Sequence, residues 1–136
     1  MPTLTPRVVR KPTVLMIEDQ PQFRRLIYHG LKHRYRLLEA PNANAAIELV
    51  RHEPVDAVLL DLHLPPRPDT PVEGLRARRA IQELNAEVPI VVISSNEDPT
   101  LKEAMLRDGV RAVLSKPVSM NAVIAVLDGL VPGPVS

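Results

Sequence analysis

The stretch VDAVLLDLHLP, Val55 to Pro65, decides the fold. At its centre Ala57 to Leu60 are apolar without polar alternation, which is how a strand covered on both faces reads. The run stops at an acid, Asp61, and prolines follow at Pro65 and Pro66. Three further runs have the same character: Val14 to Ile17, Ile90 to Ile93 and Ala112 to Leu114. A fifth, Tyr35 to Leu38, alternates more and is expected at a sheet edge. Helical stripes separate the runs: Phe23, Leu26, Ile27, Gly30 and Leu31; Ala43, Ala46, Ile47 and Val50; Leu101, Ala104 and Met105; Val123, Leu127, Leu130 and Val131. From Glu73 to Asn85 the chain is Arg-rich; Leu75, Ile81 and Leu84 are its expected core residues. Arg76, Arg78 and Arg79 there read as a solvated face.

The chain holds 15 prolines, and most fall between these segments. A proline lacks an amide donor and restrains its predecessor, so it suits element borders. Asp98-Pro99 fits an N-cap followed by proline, and Gly109 fits a helix C′ position. Strict alternation of strand and helix implies an α/β domain with a parallel sheet and helices on both faces. The expected architecture is a single doubly wound (βα)5 flavodoxin-like domain, its five-stranded parallel sheet ordered 2-1-3-4-5. The domain is expected over residues 12–131. Residues 1–11 read as a flexible N-terminal tail, and 132–136 as a C-terminal tail or the start of a linker.

Composition removes several functions. At 136 residues the chain suits one domain that can hold a core unaided. It has no cysteine, which excludes zinc fingers, iron–sulfur clusters and thiol catalysis. A net charge of +1 without a polybasic run, and aromatics only at Phe23, Tyr28 and Tyr35, argue against direct nucleic-acid binding. No apolar run approaches the ~20 residues of a membrane span, and no signal core opens the chain, so a cytoplasmic location is expected. GxGxxG, P-loop and GxSxG motifs are all missing.

Ligands bind past the C-terminal ends of strands in such sheets. Glu18 and Asp19 follow the first strand, Asp61 the third, Ser94 and Ser95 the fourth, and Lys116-Pro117 the fifth. Three carboxylates on one rim repel, and a divalent cation gives that cost a reason. Mg2+ takes hard oxygen ligands, so Glu18, Asp19 and Asp61 are candidate metal ligands. Phosphoryl transfer needs positioning and charge neutralisation, which the acids, the Ser94 hydroxyl and the Lys116 ammonium together offer. Asp61, on a central strand, is the candidate nucleophile. Each residue has a plainer reading alone: Asp19 with Gln22 forms a capping box, Ser94 a turn, Lys116 a solvated cation. The joint pattern carries the inference. His29 and His33, four apart, lack a third metal ligand and read as surface residues.

VLMIED, VDAVLLDLHLP, PIVVISS and Lys116-Pro117, in that order, resemble the receiver domain of bacterial two-component response regulators over about Pro12 to Val131. The resemblance implies that Asp61 is phosphorylated by a sensor histidine kinase or a phosphotransfer protein. It implies Mg2+ as cofactor, with Mn2+ able to substitute, held by Glu18, Asp19, Asp61 and the backbone carbonyl of His63. Ser94 matches the switch hydroxyl and Lys116 the paired lysine. It also implies a protein that catalyses only its own phosphorylation and dephosphorylation, and a downstream protein target on the helix 4–strand 5–helix 5 face, with a homodimer as one option. Three features depart from the family: glutamate at 18, a longer loop at 62–72 with four prolines, and Val113 at the usual switch-aromatic position. The long loop loosely resembles receivers attached to ATPase-type activators, so both a stand-alone regulator and a piece of a longer one are open. The alternatives are a receiver-like interaction domain that is never phosphorylated, and a cobalamin-binding module suggested by Asp61-Leu62-His63. The cobalamin motif would continue to a glycine where this chain has Pro66.

Overall fold

Every apolar run becomes a strand. A computed structural model describes residues 11–131. In chain order the elements are β1 (Thr13–Ile17), α1 (Pro21–Leu31), β2 (Arg36–Ala40), α2 (Ala43–His52), β3 (Ala57–Asp61), α3 (Val72–Leu84), β4 (Ile90–Ser94), α4 (Pro99–Arg107), β5 (Ala112–Ser115) and α5 (Met120–Leu130). The sheet is parallel throughout, in the order β2-β1-β3-β4-β5. The fold is the expected flavodoxin-like one. The tails expected at 1–11 and 132–136 lie, except for Lys11, outside the described residues.

Strand side chains alternate between faces, and both faces are covered. Leu15, Ile17, Val58 and Leu60 pack with Ala43, Ala46, Ala77, Ile81 and Met105 beneath α2, α3 and α4. Val14, Met16, Leu59 and Val91 pack with Ile27, Leu31, Val123 and Leu127 beneath α1 and α5. Every residue of β1, β3 and β4 is buried, so alternation cannot show in their sequence. Side-chain oxygens of Asn42, Asp98 and Ser119 cap α2, α4 and α5. Gly109, at φ +103°, supplies the left-handed residue after α4. The Tyr35 hydroxyl donates to Asp128 Oδ1 at 2.7 Å and ties the start of β2 to α5.

Four expectations change. Leu26 is 54% exposed, because the buried stripe of α1 narrows to Ile27 and Leu31. Leu84 is 43% exposed at the last turn of α3, where Ala77 and Ile81 make the contact with the sheet. Arg78 is buried rather than solvated: its Nη1 donates to Gln82 Oε1 at 2.9 Å, and Nη2 lies 3.7 Å from Asp108 Oδ2. Finally β5 is an edge strand with half-exposed apolar residues, not one covered on both faces.

The long proline loop is anchored in the core by its first residues, while 66–69 are exposed. Leu62 and Leu64 are fully buried. Amide-to-carbonyl bonds from Arg67 to Leu64 and from Thr70 to Arg67 (both 3.2 Å) turn the backbone, and Gly74 N–H donates to Leu62 O at 3.1 Å. The register then sets the rim: Ile17 lies opposite Leu60, Asp61 opposite Ile93 and Ser94 opposite Ser115. Glu18, Asp61, Ser94 and Lys116 thus stand at the tips of four neighbouring strands.

Candidate functional site

Glu18 leaves β1 with its amide still donating to Ala40 O at 3.0 Å, so its direction is fixed by the sheet. Its side chain turns inward, and the residue is 5% exposed. Asp61, the last residue of β3, is 6% exposed, and Asp19 is half-buried. One carboxylate oxygen from each of Glu18, Asp19 and Asp61 lies within 4.8 Å of the others. Lys116 Nζ reaches in from the end of β5, 3.2 Å from Glu18 Oε2 and 3.3 Å from Asp61 Oδ2. The His63 amide donates to Asp61 Oδ1 at 2.9 Å, and the Gln20 amide to Glu18 Oε1 at 3.3 Å. Both oxygens of Asp61 are therefore held, one by a backbone dipole and one by an ammonium.

One lysine does not balance three acids. Burial pushes the Glu18 carboxyl up to about 7; the Asp61 carboxylate pushes the same way and Lys116 opposes both. A proton or a cation is the natural remedy, and an all-oxygen donor set with this spacing fits a small divalent ion such as Mg2+. A testable consequence follows from linkage. A carboxyl whose folded pKa exceeds its unfolded value stabilises the fold below the unfolded value and loses that contribution as pH rises through the folded one. Without divalent metal the chain should lose stability between about pH 4.5 and 7, and Glu18→Gln should melt higher than wild type at pH 8. The gain is at most about 3 kcal/mol. Equal melting of the two proteins at pH 8 would show that the site carries no such strain.

The other expected residues fall as follows. Ser94 ends β4 at 2% exposure, its Oγ accepting from Asn96 N–H at 2.9 Å, while Lys116 N–H donates to Ser94 O at 3.0 Å. That leaves the hydroxyl proton uncommitted among the described contacts. The capping box does not form: Gln20 is the N-cap of α1, without a side-chain cap bond, and Pro21 opens the helix. The plain reading of Asp19 therefore lapses. The imidazole Nδ1 of His63 lies 3.0 Å from the Pro68 carbonyl of its own loop, and its Nε2 is buried without a hydrogen-bond partner among the described residues. His29 and His33 are exposed. Val113 lines a cavity of about 280 Å³ beside the β4–α4 loop, together with Asn96, Leu101 and Met105.

Two residues of α1 escaped the sequence reading. Arg24 Nη1 donates to the carbonyls of Glu18 (2.8 Å) and Asp19 (3.3 Å), and its Nε lies 3.7 Å from Glu39 Oε1. The acidic turn is thus pinned through its backbone. The ring of Phe23 lies under Lys116, with Nζ 4.5 Å from its centroid. Phe23 had a sufficient explanation as a core residue, and nothing in the spacing of Arg24 signals carbonyls five and six residues back.

The family model for the response regulator receiver domain matches residues 14–128. The chain belongs to the response regulator receiver domain family. Among curated relatives, this receiver is 32% identical over 122 residues to sensor histidine kinase TmoS of Ectopseudomonas mendocina, covering 89% of this chain but only 12% of the kinase. It is 25% identical to Protein PilH of Pseudomonas aeruginosa, covering 88% of this chain and 98% of PilH. The receiver thus spans about an eighth of the first of these relatives and nearly all of the second. Among solved structures it is similar to the receiver domain of sensor histidine kinase PA1611 from Pseudomonas aeruginosa, at 24% identity and TM-score 0.75, with 88% of this chain and 96% of that one covered. That structure has a magnesium ion coordinated in its active-site cleft. The fold, the family and the two-component context agree with the sequence reading. No helix among the described residues is long and apolar enough to cross a membrane.

Proposed function

We propose that this receiver accepts a phosphoryl group on Asp61 from the phosphohistidine of a sensor histidine kinase or phosphotransfer protein, in a Mg2+-dependent reaction. The observation that carries the proposal is the buried Asp61 carboxylate, held by the His63 amide and Lys116 and crowded by Glu18 and Asp19. Glu18, Asp19 and Asp61 would hold the cation, with the His63 carbonyl as the backbone ligand. When bound, it supplies positive charge for the oxygens of the incoming phosphoryl group. The magnesium in the PA1611 receiver supports this assignment.

An Asp61 carboxylate oxygen attacks phosphorus as the phosphorus–nitrogen bond to the donor imidazole breaks; the imidazole leaves with that electron pair and takes up a proton. An acyl phosphate remains. Lys116 then exchanges part of its contact with Glu18 and Asp61 for the new anion, and Ser94 donates its free hydroxyl proton to a phosphoryl oxygen. Attack of water on phosphorus restores Asp61 and releases inorganic phosphate. The chain catalyses these two steps on itself and no others. Movement of Ser94 and Lys116, at the ends of β4 and β5, biases the α4–β5–α5 face toward a downstream protein, in the cytoplasm. With Val113 in place of an aromatic, that bias travels through the β4–α4 loop and its cavity.

Acetyl phosphate serves as a small donor that needs no kinase. With Mg2+ it should add one phosphoryl mass to the wild-type chain, and with EDTA none. An unmodified mass in both arms would favour the never-phosphorylated interaction domain.

A further inference from the structure

We infer that Phe23 is a positioning residue of the site: its ring is the seat that holds the Lys116 ammonium between Glu18 and Asp61. The inference rests on the phosphoryl-transfer reading for its kinetic arm and on geometry alone for the contact.

Lys116 has a long side chain with four rotatable carbons, and its rotamer entropy opposes any fixed position. Two carboxylates at 3.2 and 3.3 Å set the direction of its charge but leave one side of the head uncovered. Phe23 covers that side, with the ring centroid 4.5 Å from Nζ, inside the range in which the negative face of an arene attracts a cation. The lysine side chain is 21% exposed and the two acids 6%, so the attraction acts in a partly desolvated setting. Phe23 borders the same crevice as Glu18 and Asp61, and it sits on the first turn of α1, whose next residue, Arg24, pins the carbonyls of the acidic turn. One helix turn therefore fixes the site from two sides.

The seat matters most when the acids change partners. A cation or a phosphoryl group draws Glu18 and Asp61 away from Lys116, and the ring, being uncharged, stays with the ammonium through the exchange. Phe23 thus keeps the lysine where the phosphoryl oxygens arrive, without taking part in the chemistry.

The test compares Phe23→Leu, which keeps an apolar side chain without a π face, with Phe23→Tyr, which keeps the ring. In the metal-free protein the Lys116 ε-methylene protons should be shifted upfield by the ring current in wild type and Phe23→Tyr, and not in Phe23→Leu. At saturating Mg2+ Phe23→Leu should accept phosphoryl groups from acetyl phosphate about fivefold more slowly, which is about 1 kcal/mol at 1.4 kcal/mol per tenfold. Its Mg2+ affinity should change less than about twofold, and Phe23→Tyr should restore the rate. An unshifted Lys116 in wild type, an unchanged rate in Phe23→Leu, or equal impairment of both variants would overturn the seat. Failure of the wild-type chain to take up any phosphoryl group would sink the transfer reading instead, and the ring-current shift alone would then decide the seat.

Discussion

Asp61→Asn should take up no phosphoryl group from acetyl phosphate and Mg2+, a loss of roughly 10³-fold or more in rate. The substitution is nearly isosteric. The amide oxygen can still accept the His63 N–H, and the residue keeps its place at the end of β3. What disappears is the charge: a neutral amide is a poor nucleophile toward phosphorus, pairs weakly with Lys116 and offers a weaker ligand to a cation. The variant should also relieve the crowding around Glu18, since Asp61 is the second cause of that carboxyl's upward shift. Metal-free Asp61→Asn should therefore melt no lower than wild type at pH 8. Uptake at the wild-type rate would place the acceptor elsewhere and remove the basis of the proposed function.

Gly74→Ala should cost about 3 kcal/mol or more of stability, although alanine is the better helix former. A Cβ at this position would fall on the Leu62 backbone, 2.5 Å from its carbonyl oxygen and 2.7 Å from its carbonyl carbon. Backbone cannot swing aside as a flexible side-chain end can. Gly74 also donates its amide to Leu62 O, so the clash would break the bond that anchors the proline loop. Leu62 follows Asp61 directly, which carries the disturbance to the proposed acceptor. The melting temperature should fall by roughly 10 °C. Gly129→Ala is the control: nothing lies within 4 Å of its Cβ, so it should hold or slightly raise the melting temperature. A fall of less than about 2 °C for Gly74→Ala would mean that the loop yields easily and is not anchored in the core.

The strands were legible because three of them are buried throughout, and a run such as IVVI has no other comfortable place in a small α/β domain. The site was legible because parallel topology sends each strand's C-terminal residue to one rim, so Glu18, Asp19, Asp61, Ser94 and Lys116 could be collected without knowing any distance. Legibility ended where a residue serves two purposes. Phe23 fits an apolar stripe and also faces a cation, and periodicity reports only the first role. Arg78 lies in an arginine cluster that reads as solvated, yet Gln82 and Asp108 give it partners that allow burial. Leu62 and Leu64 lie among prolines in a segment that reads as loop, which concealed that both are fully buried.

The central claim is that the Asp61 carboxylate becomes an acyl phosphate, and borohydride reduction tests it at the atom concerned. Treated with acetyl phosphate and Mg2+, then with sodium borohydride, the chain should carry homoserine at position 61 and nowhere else, as read by peptide mass spectrometry. Homoserine missing from position 61, or a reduced or phosphorylated residue elsewhere in its place, would contradict the account.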